Sequence, residues 1–256
     1  MVRIKTAKEI EGIRAASRVV AQVFEAVKSK LCVGTNTFQI DNIVRHTLRD
    51  LGAKSAFYKY KQGGKKGFPG YACISVNEEV VHGIGKYDRV LNDGDIITVD
   101  VGAVLNEFYG DAAFTTIIGT AKPEVQLLNE RTREALYKAI AITKPGVGLF
   151  GISRVIEETA KQYGYGSVIN YYGHGVGLKL HEPPQVPNAV PAVGYNLPFR
   201  AGMTITYEPM FTLGTGNTKE LADGWTVVTV DGSWAAHWEH TLLVTETGVE
   251  VLTEMK

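Results

Sequence analysis

Apolar residues recur every three or four positions along two stretches near the start of the chain, a spacing that predicts amphipathic helices. Thr6 and Glu9 have the spacing of a capping box, so we predict that the first helix begins there and runs to Gly34. The second helix is predicted to end at Gly52. The segment 55–70 that follows is polar, basic and rich in glycine, which predicts a loop.

The pattern changes to β-branched and aromatic runs between residues 94 and 118, which predicts a β-hairpin. A turn between Leu105 and Asn106 would place Asp100 directly opposite Asp111 on one face of the hairpin. Cβ atoms in such a pair lie roughly 4.5–5.5 Å apart, and like charges there are destabilising. The pair therefore predicts a divalent cation as counter-charge. The alternative is that one aspartate points to solvent beyond the end of its strand.

The helical pattern returns twice in the second half of the chain, over 124–143 and again up to Gly164. Several landmarks then recur in the same order: helix-ending glycines 18 residues apart (Gly34 and Gly52, Gly146 and Gly164), the turns His82-Gly83-Ile84-Gly85 and His174-Gly175-Val176-Gly177, and Gly94 and Gly202 six residues before Asp100 and Glu208. We therefore predict a single domain over 1–256, formed by two related α/β halves, about 1–120 and 121–256. The repeat would bring Asp100 and Glu208 to a shared central site.

Composition narrows the class of protein. The chain has 256 residues, 45% of them hydrophobic, with 27 basic and 27 acidic side chains, so its net charge gives no reason to expect nucleic acid or a membrane surface as partner. Cys32 and Cys73 are too few for a disulfide framework and suit a reducing compartment. The sequence shows no signal-peptide pattern and no apolar run of the ~20 residues that a membrane span needs. We expect a soluble, cytoplasmic protein.

Five residues carry a metal-site hypothesis: Asp100, Asp111, His174, Glu208 and Glu239. Four carboxylates and one imidazole are too rich in oxygen for a typical structural zinc site, and their formal charge of −4 exceeds what one divalent cation neutralises. Two cations that share carboxylates and a water balance this charge and are used in hydrolysis. Taken singly, Glu208 and Glu239 could each be a half-exposed strand residue, but their occurrence together with the repeat favours the metal site.

The remaining histidines near these acids have different predicted roles. His181 follows a glycine-rich segment that lets a substrate approach closely, so it could polarise a carbonyl group or stabilise an oxyanion. The alternative for His181 is a structural hydrogen bond at a strand end. His237 and His240 flank Glu239 and are expected to be structural, and the lysine-rich run 61–66 is expected to be a solvated loop.

On these residues the chain resembles the bacterial-type, type I methionine aminopeptidases over essentially its whole length. The motifs that carry the resemblance are Asn77-Glu78-Glu79-Val80-Val81-His82-Gly83, the hairpin with Asp100 and Asp111, the segments 174–181 and 202–210, and Glu239-His240-Thr241. The resemblance implies the α/β pita-bread fold, in which two pseudo-symmetric halves surround a curved, mainly antiparallel sheet with helices outside. It also implies an enzyme that removes N-terminal methionine from nascent proteins and peptides, with a preference for a small second residue.

The resemblance implies a ligand role for each of the five residues: Asp100 on one metal ion, His174 and Glu208 on the other, Asp111 and Glu239 between the two. A water shared by the metals would attack the first peptide carbonyl, and Glu208 would take its proton. His181 would assist the developing oxyanion, and His82 would contact the substrate backbone beside the scissile bond.

The resemblance also implies a methionine pocket formed by Phe68, Cys73 and Trp225, a soft apolar cavity suited to a thioether. Leu180 stands where many relatives have phenylalanine, and Lys65 and Lys66 stand where an aromatic residue is common. These departures concern the shape of the pocket rather than the metal chemistry.

The cofactor implied is a pair of divalent metal ions (cobalt, manganese, iron, zinc or nickel), whose identity the ligand types do not determine. The expected partners are polypeptides with N-terminal methionine. The ribosome is a candidate partner on which the sequence is silent, no membrane or direct nucleic-acid partner is expected, and we expect a monomer.

Two alternative functions use the same fold. Aminopeptidase P and prolidase, which act at proline, have the same five ligand types, but they usually carry an additional N-terminal domain, whereas here the first helix begins by residue 6. Metal-free binding proteins of this fold typically lose ligands, and all five are present here.

Overall fold

The structure, a computed structural model, describes residues 2–61 and 63–254. The described residues form the following helices: Ala7–Lys28 (α1), Thr37–Asp50 (α2), Pro123–Ala141 (α3) and Leu149–Tyr163 (α4). They form the following strands: Lys54–Ser55 (β1), Cys73–Val76 (β2), Glu79–Val81 (β3), Ile96–Leu105 (β4), Phe108–Ile117 (β5), Gly166–Ser167 (β6), Tyr172–Gly175 (β7), Glu182–Pro187 (β8), Thr204–Tyr207 (β9), Met210–Thr212 (β10), Thr218–Glu220 (β11), Val227–Thr229 (β12), Ala235–His237 (β13), His240–Val244 (β14) and Val249–Val251 (β15). The pairings between these strands are antiparallel.

The first helix begins as predicted and ends earlier than predicted. The Thr6 hydroxyl accepts from the Glu9 N–H, and the Glu9 carboxylate accepts from the Thr6 N–H at 2.8 Å, which completes the capping box. The helix ends at Lys28, six residues before Gly34. Gly34 instead donates its N–H to the carbonyl oxygen of Leu91 at 2.8 Å, and Leu91 donates to the carbonyl oxygen of Thr35 at 2.8 Å, so the chain pairs with the loop around Leu91 here.

The hairpin of β4 and β5 forms, but the predicted pairing of its two aspartates is wrong. Asp100 lies opposite Ala113, and Asp111 lies opposite Gly102. The turn is one residue later than predicted, because Asn106 and Glu107 both adopt the left-handed conformation (φ 49° and 68°) that two-residue hairpin turns favour. A shift of the turn by one residue changes each partner by two, so both aspartates still occupy the same face, as diagonal neighbours.

Each helix pair has its own hydrophobic core. Residues of α1 and α2 pack with β2, β4 and β5, and residues of α3 and α4 pack with β9 and β14. The backbone at matching glycines is also alike: φ is 89° at both Gly34 and Gly146, and 90° and 85° at Gly94 and Gly202. Gly146 donates to the carbonyl oxygen of Phe199, as Gly34 does to Leu91. The division into one domain with two related halves stays a prediction.

None of the described helices is long and apolar enough to cross a membrane. Cys32 is exposed, Cys73 is buried, and both are free thiols.

Candidate metal centre and active site

One cavity of about 610 Å³ opens between the strands. Every site residue predicted from the sequence lines it: Phe68, Cys73, His82, Asp100, Asp111, His174, His181, Glu208, Trp225 and Glu239. Its polar wall carries the carboxylates and imidazoles, and its apolar wall is a cluster formed by Phe57, Phe68, Cys73, Leu180 and Trp225. Residues that lie far apart in sequence therefore meet at a single site.

Strand β5 brings together two acids from different parts of the chain. Ala113 and Glu239 exchange backbone hydrogen bonds of 3.3 and 2.9 Å. In the same register, the Thr241 hydroxyl accepts from the N–H of Asp111 at 3.1 Å and donates to its carbonyl oxygen at 2.7 Å. This seam between β5 and β14, formed by an isolated bridge to Glu239 just before β14 and by the Thr241 hydroxyl, holds Asp111 and Glu239 at the same cavity.

His174 reaches the acids from β7. The backbone N–H of His174 donates to the Thr206 hydroxyl at 3.0 Å, and that hydroxyl donates to Glu208 Oε1 at 3.3 Å. The Nε2 atom of His174 lies 3.8 Å from Asp111 Oδ2 and 3.7 Å from Glu208 Oε1. One ligand atom each from Asp111, His174 and Glu239 lies within 4.8 Å of the others, a spacing that a metal ion could fill.

The tautomer of His174 also suits a metal ligand. Its Nδ1 lies 2.9 Å from the carbonyl oxygen of Gly175, which can only accept, so Nδ1 carries the hydrogen. Burial lowers the pKa of His174 to about 3, so the ring is neutral. The lone pair of Nε2 therefore points at the acids, as in histidine ligands whose other nitrogen donates to a carbonyl group.

Three of the four carboxylates keep a buried oxygen without a hydrogen-bond partner among the described residues. Burial raises the pKa of Asp111 and of Glu208 to about 8, and burial together with the charge of Asp111 raises those of Asp100 and Glu239 well above the usual range. Asp100 Oδ1, Asp111 Oδ1 and Glu239 Oε1 are buried and accept no hydrogen bond from the described residues. Unpaired carboxylate oxygens beside an imidazole lone pair are a donor set that divalent cations fit.

His82 and His181 lie at the rim of this polar wall. His82 follows β3 with φ 58°, a strained value for a residue with a side chain, and burial lowers its pKa to about 4. The rings of His181 and His174 meet edge to face, with centroids 4.4 Å apart. His181 therefore lies beside the predicted ligand His174, whereas the His82 ring faces Tyr171 and Trp225, with centroids 5.6 and 6.3 Å away.

The loop that contains Lys65 and Lys66 contacts the apolar wall, which the sequence did not predict. The Trp225 indole N–H donates to the carbonyl oxygen of Lys66 at 3.1 Å, and Lys65 Nζ lies 5.2 Å above the Trp225 ring while it pairs with Glu220. The expectation of a solvated loop is wrong for Lys65, whose side chain lies over the Trp225 ring, whereas the side chain of Lys66 is exposed as expected. Gln62 lies outside the described residues.

Tyr60 and His237 are among the cavity residues that the sequence did not predict. Tyr60, within the segment predicted only as a loop, places its hydroxyl 2.7 Å from His181 Nδ1. His237, expected to be structural, lines the cavity, and its buried Nε2 has no hydrogen-bond partner among the described residues. The signal available for His237 was its position two residues before Glu239. Nothing in the local sequence distinguishes Tyr60 from Tyr58.

Comparisons with known proteins agree with this geometry. The sequence profile of metallopeptidase family M24 matches residues 11–246. A methionine aminopeptidase of Aquifex aeolicus is 44% identical over 256 residues, and the match covers 99% of each chain. Methionine aminopeptidase 1 of Bacillus subtilis is 43% identical over 256 residues and is matched along 100% of each chain.

Solved structures show the same relationship. The crystal structure of a methionine aminopeptidase from Thermotoga maritima superposes with a TM-score of 0.94 at 44% identity, covering 100% of both chains. A prolidase from Pyrococcus furiosus superposes with a TM-score of 0.78 at 25% identity, over 99% of this chain and 66% of its own. These proteins share the pita-bread fold, which the present chain also has. The chain therefore belongs to metallopeptidase family M24, among the methionine aminopeptidases of that family.

Proposed function

We propose that this enzyme removes N-terminal methionine from peptides and nascent proteins by means of two divalent cations held at the polar wall of the cavity. The observation that carries the proposal is a set of four carboxylates, three of them buried, and a neutral imidazole directly beside an apolar pocket. A single cation would leave much of the carboxylate charge in this low-dielectric site uncompensated.

The five residues of the metal hypothesis would hold the cations: Asp100 on one, His174 and Glu208 on the other, and Asp111 and Glu239 between them. When bound, the cations would lower the pKa of a water and polarise the peptide carbonyl group. The structure supports Asp111 and Glu239 as the shared ligands, since the seam between β5 and β14 keeps both beside His174.

The remaining polar residues of the cavity act on protons and on the substrate. Glu208 would hold the proton that a nucleophilic water loses; its carboxylate lies in the polar wall, and among the described residues it accepts a 3.3 Å hydrogen bond from Thr206. His181 would donate to the oxygen of the scissile carbonyl, and His82 would contact the substrate backbone.

The apolar wall would bind the side chain of the first residue of the substrate. Phe68 and Trp225 meet edge to face with centroids 5.3 Å apart, beside the buried thiol of Cys73. A flexible, polarisable methionine side chain suits such a pocket. The free amino group of the substrate would then lie at the acids, which explains an exopeptidase, and we expect a small second residue to be preferred.

The experiment is a metal-loaded peptidase assay. Protein purified without oxygen is loaded with cobalt, manganese, iron, nickel or zinc, incubated at neutral pH with Met-Ala-Ser and Met-Leu-Ser peptides, and scored for released methionine. We expect release to be faster from Met-Ala-Ser. Absence of release with every metal would overturn the proposal.

Xaa-Pro peptidase activity is the second candidate, because the prolidase of Pyrococcus furiosus shares the fold. Cleavage of Xaa-Pro peptides without release of methionine from Met-Ala-Ser would establish it. Metal analysis of the same preparations tests whether two ions bind per chain. We propose the cytoplasm as the place of action, and fractionation of cells that express the protein tests this.

A further inference from the structure

Tyr60 lines the cavity and contacts His181 at the rim of the polar wall. Its hydroxyl lies 2.7 Å from His181 Nδ1, and the two rings meet edge to face with centroids 5.3 Å apart. The N–H of Tyr60 donates to the carbonyl oxygen of Phe57 at 2.8 Å, and its own carbonyl oxygen accepts from the N–H of Phe68 at 2.9 Å. The backbone of Tyr60 is thus hydrogen-bonded to two residues of the apolar wall, and its phenol contacts His181.

The direction of this hydrogen bond follows from basicity. An imidazole nitrogen is a stronger base than a phenol oxygen, and a phenol O–H is a stronger donor than a neutral imidazole N–H. Burial and the charge of Asp111 both raise the pKa of Tyr60, so its hydroxyl keeps its proton. Tyr60 therefore donates to Nδ1, and a neutral His181 then carries its ring hydrogen on Nε2.

The neighbouring histidine shows the opposite arrangement. His174 donates from Nδ1 to the carbonyl oxygen of Gly175 at 2.9 Å, which leaves a lone pair on Nε2. Two imidazoles with centroids 4.4 Å apart are thus held as opposite tautomers, each by the partner of its Nδ1. One presents a lone pair, which suits a cation, and the other presents an N–H, which suits an oxyanion.

We propose that Tyr60 is a positioning residue that holds His181 as the Nε2–H tautomer, so that His181 donates a hydrogen bond to the carbonyl oxygen of the scissile peptide. The inference rests on the proposed function, because it deepens the role given there to His181. Without the Tyr60 hydroxyl, Nδ1 is free to take the hydrogen, and the lone pair of Nε2 would then repel the developing negative charge.

The first test is Tyr60→Phe, which keeps the ring and removes the hydroxyl. We expect kcat for Met-Ala-Ser to fall about tenfold or more while KM changes less than about twofold, since the hydrogen bond to the oxyanion strengthens only in the transition state. Tyr58→Phe is the matched control: Tyr58 belongs to the same loop but stacks on Tyr71 and does not line the cavity. We expect its kcat to be unchanged.

A double-mutant cycle separates positioning from direct contact with the substrate. In a His181→Ala background, Tyr60→Phe should lower kcat by less than about twofold, because the residue through which it acts is gone. An equal loss in both backgrounds, or full activity of Tyr60→Phe, would overturn the proposal.

The tautomer itself is measured by nitrogen-15 NMR of histidine-labelled, metal-free protein. We expect the hydrogen of His181 on Nε2 in the wild type and a shift towards Nδ1 in Tyr60→Phe, with unchanged far-ultraviolet circular dichroism. A wild-type hydrogen on Nδ1 would refute the inference even if the enzyme is active. Conversely, a wild type that releases no methionine would refute the proposed function while the spectrum still decides the tautomer.

Discussion

The hydroxyl of Thr241 binds both backbone polar groups of Asp111: it accepts from the N–H at 3.1 Å and donates to the carbonyl oxygen at 2.7 Å. Thr115 does the same for His237, with distances of 3.0 and 2.6 Å. The two threonines flank the backbone pair of Ala113 and Glu239, and together they join the strands that carry two of the metal-site acids. The position of Asp111 therefore depends on a side chain 130 residues away.

Thr241→Val should weaken metal binding through the backbone of Asp111. The substitution preserves shape but leaves two buried backbone groups without a partner, which costs about 1–3 kcal/mol for each group. We expect a lower melting temperature and a lower metal affinity by calorimetric titration. Thr115→Val, which removes the equivalent bonds to His237, should lower the melting temperature similarly with a smaller effect on metal affinity. Equal metal affinities in both variants would contradict this prediction.

Asp111→Asn should abolish metal uptake and activity together. Burial raises the pKa of Asp111 to about 8, so the metal-free folded protein holds a proton that the unfolded chain releases above about pH 4. The contribution of Asp111 to the stability of the metal-free wild type therefore falls as pH rises from about 4 to about 8. Asparagine has no such proton, so the melting temperature of the metal-free variant should fall less over this range. Melting curves in chelator at pH 5 and pH 8, with metal analysis of both proteins, measure this; retained binding of two metals would refute the ligand role.

His174→Ala and His181→Ala should separate binding from catalysis, although the two rings touch. Loss of the His174 lone pair should lower metal content. Loss of His181 should leave metal content unchanged and lower kcat by about 10²–10³, the usual cost of removing an oxyanion donor. Metal analysis and steady-state kinetics are compared with His46→Ala, an exposed position on α2 that should behave as wild type. Equal metal loss in both variants would show that His181 is also a ligand.

Phe68→Leu should change substrate binding more than the chemical step. Phe68 is buried and packs edge to face with Trp225, so a smaller side chain should loosen the wall around the methionine side chain. We expect KM for Met-Ala-Ser to rise several-fold with little change in kcat. Phe24→Leu, which alters a buried phenylalanine packed on Phe114 outside the cavity, should leave KM unchanged. A fall in kcat alone would place Phe68 at the reacting group instead.

Much of the fold could be predicted because its signals are local. The capping box at Thr6 and the left-handed glycine at the end of α4 depend only on neighbouring residues, and both formed as predicted. The register of the hairpin could not be predicted to the residue, because neither Leu105-Asn106 nor Asn106-Glu107 is an Asn-Gly or Asp-Gly pair, the pairs that mark a two-residue turn most strongly. Only the backbone of the folded hairpin selects the second.

The sequence by itself determined the family, the helices and hairpin, and the residue types available for metal chemistry, since these follow from periodicity, short-range motifs and composition. Tertiary structure alone decided which atoms face each other. The contacts of β5 with residues 239–241, the opposite tautomers of His174 and His181, and the contact of Tyr60 with His181 join residues that lie far apart in the chain or depend on side-chain orientation. No local pattern encodes such contacts, because they arise only when the core has set the strands and loops at fixed distances.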